Sequence, residues 1–244
     1  MTADRWTQAV RHQLGPGRLL PLGGPRDGAW IAEAAAGAVL RRAVAEVPGV
    51  RPGSLRITLA DPEDVHEPVV PPPTSALPPG PLRVTADFAA AATDPLPTTA
   101  SRVRLVLAAT AAERLGLSVT EVDLRVTDLL EEGQEEEPAG AAAVGPTRPA
   151  RARESTDPDE ARAAAAALSV PGVTHLTAAL AGLGRAVHIE ERQEGAALPH
   201  RHVSVEVAVD GRHRALDVAR QVRAAVRESL EDHPTVAVLV TTVS

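Results

Sequence analysis

The chain contains no cysteine, lysine, asparagine or tyrosine, and its single phenylalanine is Phe88. Without cysteine there is neither a disulfide nor a thiolate metal site. Without lysine there is no Schiff-base chemistry and no phosphate-loop lysine, and tyrosine and cysteine nucleophiles are excluded with them. All 25 basic residues are therefore arginine. Lysine, asparagine, tyrosine, phenylalanine and isoleucine have AT-rich codons, whereas the abundant alanine, arginine, proline and glycine have GC-rich ones. The bias is that of a very GC-rich, actinobacterial-type coding sequence rather than a functional avoidance. Its physical consequence is a core packed from alanine, valine and leucine.

Positive charge is also short. Against 32 acidic residues the 25 arginines leave a net −7. A general binder of the phosphate backbone needs the opposite balance, and the aromatic platforms on which bases stack are missing, so no nucleic-acid partner is expected. Met1 to Gln8 is polar and lacks the apolar stretch of a signal peptide. No apolar run approaches the ~20 residues of a membrane span. The expectation is a cytoplasmic chain without direct membrane insertion.

What is present is periodic. Arg5 to Leu14 reads as a short helix, ended by Gly15-Pro16-Gly17, and Leu19, Leu20 and Leu22 read as an edge strand. From Ala29 to Val47 the residues Ile31, Ala35, Val39, Ala43 and Val47 recur every fourth position, a helical stripe stopped by Pro48-Gly49. Leu55, Ile57 and Leu59 alternate as a strand, a proline-rich loop follows between Pro62 and Pro81, and Leu82, Val84, Ala86 and Phe88 alternate as a second strand. Thr98 and Thr99 are candidate caps of a helix with the stripe Val103, Leu107, Ala111 and Leu115, after which Val122, Leu124 and Val126 form a closing strand. Residues 131–157 carry a glutamate run, an alanine-glycine-proline stretch and three arginines, the composition of a flexible linker.

The second half repeats the first. Val47-Pro48-Gly49-Val50 returns as Val170-Pro171-Gly172-Val173, again after an alanine-rich helix. The strand around Val84 returns as Val203, Val205, Val207 and Val209. The stripe Val103 to Leu115 returns as Val218, Val222, Val226 and Leu230, and the closing strand as Val236, Val238 and Val240, with Thr127 falling on Thr241. The sequence thus predicts an α+β protein of two tandem copies of a small helix-strand-strand-helix-strand unit, each with an antiparallel or mixed sheet and helices on one face. The units are residues 1–130 with an N-terminal extension, and residues 158–244, joined by the linker 131–157.

A helix ending in V-P-G-V, a strand, a variable loop, a valine-alternating strand, a helix and a closing V-x-V-x-V strand resembles the alkaline shock protein family, the envelope stress response family of Gram-positive bacteria. The matching residues are Val47 to Val50, Arg102-Val103-Arg104 with Leu107, and Val122 to Val126, then Val170 to Val173, Val218 to Val226 and Val236 to Val240. The chain departs from the family's single-domain pattern by its duplication, its acidic linker and its proline loop. The resemblance implies a non-catalytic protein that acts by association. Its partners would be its own copies, other alkaline-shock-like proteins, or a membrane-anchored protein that holds it at the envelope.

No catalytic or cofactor-binding residue stands out. His200 and His202 are two apart at the start of a strand, so both rings point to one face, and His188 falls on the neighbouring strand. Such a set could take zinc or nickel, which makes a metal- or ligand-sensing module the alternative reading. No carboxylate or cysteine sits at supporting spacing, the first repeat has no equivalent histidines, and no metal or other cofactor is expected. Gly182-Leu183-Gly184-Arg185 lacks the third glycine and following helix of a phosphate loop and reads as a turn. Asp123 and Asp128 read as solvated strand-end charges, without a matching pair in the second repeat.

Overall fold

A computed structural model describes residues 17–130, 150–153, 155–179, 184–192 and 200–244. The expected helix Arg5–Leu14 and the phosphate-loop look-alike at Gly182-Leu183 lie outside them, as does most of the expected linker. Among the described residues the fold is α+β, with four α-helices and nine strands in two mixed sheets. In chain order the elements are β1 (Leu19–Pro21), β2 (Ala29–Ala32), α1 (Glu33–Ala45), β3 (Val50–Leu59), β4 (Leu82–Ala91), α2 (Leu96–Ala109) with a π-helical turn (Thr110–Leu115), and β5 (Val119–Leu130). There follow α3 (Pro158–Leu168), β6 (Val173–Leu176), β7 (Val187–Arg192), β8 (His200–Val209), α4 (Ala215–Ser229) and β9 (Thr235–Val243). No described helix is long and apolar enough to cross a membrane.

The two halves share one connectivity. In the first, β3 pairs antiparallel with β4, and β4 pairs parallel with β5 across the α2 crossover. In the second, β6 and β7 pair antiparallel with successive stretches of β8, and β8 pairs parallel with β9 across α4. Both V-P-G-V segments turn on a glycine with positive φ, Gly49 at 71° and Gly172 at 93°, which the turn after proline requires. The Gly49 carbonyl then accepts from Ala91 N at 2.7 Å, and the Gly172 carbonyl from Asp210 N at 2.8 Å. The matched threonines occupy one structural position. Thr127 is the extra residue where the β4–β5 register shifts, and Thr241 the extra residue where the β8–β9 register shifts. Each hydroxyl donates back across its ladder, Thr127 Oγ1 to Phe88 O and Thr241 Oγ1 to Val207 O.

Two features depart from the sequence reading. Ala29–Ala32 is a strand, and the helix begins only at Glu33, with Ala32 extended (ψ 131°) at its cap. Trp30 and Ile31 favour extended backbone, and β2 gains a ladder by pairing parallel with β9, Trp30 opposite Leu239 and Ile31 opposite Val240. The boundary between the two units consequently does not follow the sheets. β1 and β2, assigned by sequence to the unit 1–130, form one edge of the sheet otherwise built from residues 173–243, in the order β1-β2-β9-β8-β6. The cause lies in β9, which is apolar on both faces. Val236, Val238 and Val240 are at most 1% exposed and Ala237, Leu239 and Thr241 at most 6%, a strand that belongs inside a sheet rather than at its margin.

Further contacts fasten the halves together. Asp27, in the turn before β2, accepts from Arg220 of α4 at 2.8 and 3.1 Å, and Arg223 donates to the Arg26 carbonyl at 2.7 Å. Burial pushes the Asp27 carboxyl up. Hydrogen bonds from Arg220 and the Gly24 N–H, with the charges of Arg220 and Arg223, outweigh it and hold the carboxyl below its ordinary range. Gly116, at φ 88° after the π-helical turn, lies so close to Leu216 of α4 that a Cβ there would collide with the Leu216 side chain. Residues of both halves, from Leu19 to Val243, belong to one continuous apolar core.

Candidate functional site

The sheet places the three singled-out histidines on one face, as the alternation requires. His188 lies opposite Ser204, Glu190 opposite His202, and Arg192 opposite His200. Their environments then diverge. His202 is 2% exposed, and its Nδ1 shares a 2.8 Å hydrogen bond with Thr235 Oγ1. Burial, reinforced by the Arg192 charge and only partly opposed by Glu190, lowers its pKa to about 4. His188 Nε2 is buried without a hydrogen-bond partner. His200 opens instead onto a surface cleft beside Glu191, Arg201, Asp232 and His233. No group of three or more histidines and carboxylates able to hold a metal ion occurs among the described residues. Of the two aspartates, Asp123 lies 3.6 Å from Arg83 and Asp128 lies 3.6 Å from Arg51, both on exposed ion pairs.

The stronger candidate is a strand edge. β5 is the repeat equivalent of β9, yet the two are treated differently. β9 is flanked by β8 and β2, whereas among the described residues β5 pairs with β4 alone and ends a three-stranded sheet. The described residues 150–153, which precede α3, lie elsewhere. That segment bridges Arg151 to Thr177 and Arg153 to Arg185, across the gap between β6 and β7. β5 is the longest strand among those described, 12 residues, and an open edge of that length is a template for another strand.

Its side chains sort cleanly. Val122, Leu124 and Val126 are half-buried on the face that meets the core, below Val106 of α2, while Leu105 and Leu129 stand 70% and 54% exposed nearby. On the opposite face Glu121, Asp123, Arg125 and Asp128 join β3 and β4 through ion pairs, Arg83 with Glu121 and Asp123, Arg125 with Asp87 at 2.9 Å, and Arg51 with Asp128. Hydrogen bonds from Arg125 and Ser54 hold the Asp87 carboxyl below its ordinary range. Arg104 of α2 donates to the Val122 carbonyl at 3.3 Å, so that carbonyl is turned away from β4. By strand alternation the main-chain groups of Leu124 and Val126 face the open edge as well.

This edge was hidden in the sequence because β5 and β9 carry the same alternation of apolar residues. The visible difference is the charge on the outer face, Glu121, Asp123 and Arg125 in β5 against Thr235, Ala237 and Leu239 in β9. No protein-family model matches the chain, and no match was found among curated proteins.

Proposed function

We propose that the protein is a non-catalytic interaction protein of the cytoplasm, and that it associates with a second copy of itself through the open edge of β5. The observation that carries the reading is the contrast between β9, covered by β2, and its repeat equivalent β5, which has no second neighbour among the described residues. Self-association also agrees with the resemblance to the alkaline shock protein family and with an envelope role through a membrane-anchored partner.

The charge order along β5 selects a register. In an antiparallel pair centred on Leu124, Val122 meets Val126 of the second copy and Leu124 meets its twin, all through outward-facing main-chain groups. On the polar face Asp123 meets Arg125 twice, once on each side of the twofold axis. The chain Asp87–Arg125 of one copy then continues into Asp123–Arg83 of the other, alternating in sign across four strands. Arg104 releases the Val122 carbonyl to the incoming strand.

Light scattering behind size-exclusion chromatography, at micromolar protein, tests both the association and its register. The parent is expected as a dimer, Asp123→Arg and Arg125→Asp each as monomers, and an equimolar mixture of the two variants as a heterodimer, because the mixture restores opposite charges at both positions. A monomeric parent overturns the association. Single variants that stay dimeric, or a mixture that stays monomeric, overturn the β5 register.

A further inference from the structure

The second half contains a cleft of about 380 Å³. It exists because the strand equivalent to β3 is split. β6 ends at Leu176, β7 begins at Val187, and the extended segment Arg151–Arg153 lies across the interruption, tied by Ala152 N to Leu176 O at 3.0 Å and Arg153 N to Gly184 O at 2.7 Å. α3 forms the facing wall. The volume falls in the range of small-ligand sites, roughly 300–1,000 Å³.

The lining is divided between an apolar floor and a cationic rim. Leu176, Ala186 and Val187 are buried beneath it, and Ala164 and Leu168 face it from α3, with Leu168 left 50% exposed. The rim carries Arg151, Arg153 and Arg185. Among the described residues the cleft has one carboxylate, Glu160, which is 6% exposed and already satisfied. It takes the Ser155 hydroxyl at 2.5 Å and the Arg185 guanidinium at 3.1 Å. Arg151 and Arg153 have no acidic partner among the described residues. Two guanidiniums without an acidic partner among the described residues, over an apolar floor in a chain of net charge −7, form a local reversal of sign.

We propose that this cleft binds a small organic anion, a carboxylate carried on an aliphatic tail. The guanidiniums of Arg151 and Arg153 take the carboxylate, for which their planar donor geometry is suited. The tail lies along α3 over Leu176, Ala186 and Val187 and covers Leu168. An inorganic anion uses only the rim and an alcohol of the same length only the floor, so affinity depends on both parts being present in one molecule.

Isothermal titration with decanoate below its micellar concentration tests the proposal, using the full chain with Asp123→Arg so that the result does not depend on self-association. Saturable one-to-one binding is expected, weakened at least about tenfold in an Arg151→Ala/Arg153→Ala variant and unchanged in Arg212→Ala on a distant turn. Ala164→Phe, which fills the cleft, is expected to abolish binding while the far-UV spectrum stays that of the parent. Decanol and inorganic phosphate are expected to bind at least about tenfold more weakly than decanoate. Absence of saturable binding overturns the proposal, as does equal affinity of the double-arginine variant. Decanol binding as well as decanoate would leave an apolar slot without anion recognition, and phosphate binding as well would leave a bare anion site. Either result also overturns it.

Discussion

Truncating Trp30 to alanine should destabilise a sheet most of whose strands lie about 140–210 residues further along the chain. Trp30 is 1% exposed, stands opposite Leu239 in the ladder with β9, and donates its Nε1 to the Leu77 carbonyl at 3.4 Å. That hydrogen bond is long and adds little. Removing a buried indole of this kind costs about 3–5 kcal/mol, most of it from lost burial and the cavity left behind. Set against a total stability of about 5–15 kcal/mol, this is a large fraction. With a urea dependence of about 3 kcal/mol per molar, the upper end of the usual ~1–3 and the one a chain of this size calls for, the unfolding midpoint followed by far-UV circular dichroism should fall by roughly 1–2 M. Hydrogen exchange then locates the loss. Protection is expected to drop in β8 and β9 as much as in β2, and Trp30→Phe should recover more than half of the shift. A midpoint unchanged to within about 0.3 M, or a protection loss confined to residues 19–32, would refute β2 as an integral strand of that sheet.

Two further perturbations test the remaining packing. His202 is held neutral by burial with a pKa of about 4, against 6.5 for a free histidine. The unfolded chain binds a proton below about pH 6.5 that the native chain refuses until about pH 4. The stability conferred by the neutral ring is therefore complete above pH 6.5 and falls as pH drops through that window, by up to about 1.4 kcal/mol per pH unit. His202→Gln should flatten this part of the urea-midpoint profile, and a slope equal to the parent's would show that the ring titrates freely in the folded state. Gly116→Ala combines a positive φ with a collision against Leu216 and should cost about 2 kcal/mol or more. Gly17→Ala, where φ is 74° and a Cβ meets open space, should cost about 1 kcal/mol. Equal midpoints for the two variants would remove Gly116 as a point of close approach between the halves.

Local patterns carried much of the fold. The alternation in β4, β8 and β9 and the repeated V-P-G-V turns were readable because a period of two and a proline-glycine pair act within a few residues. The pairing of Thr127 with Thr241 was readable as an alignment, though its meaning as a shared register shift was not. β2 was misread because Ile31 falls in phase with the alanine-rich helical stripe that follows it. What decides its conformation is the ladder with β9, and a pairing across the length of the chain leaves no local trace. The split of the second repeat's first strand into β6 and β7 was equally hidden, and with it the arginine-rimmed cleft. Among the candidate site residues, the shared face of His188, His200 and His202 followed from their spacing. The Thr235 hydroxyl that engages His202, and the burial that keeps it neutral, come from β9 and the assembled core.

The β2–β9 ladder also sets a timetable for synthesis. Ile31 leaves the ribosome about two hundred residues before its partner Val240. At roughly 5–20 residues per second that is an interval of about 10–40 s. During it the apolar residues of β1, β2 and α1 have no finished sheet to join, while β3, β4 and β5 can already assemble beside them. The second sheet can close only when β9 is released, so between the release of β5 and that of β9 the first half can be structured while the anchor of the other half waits.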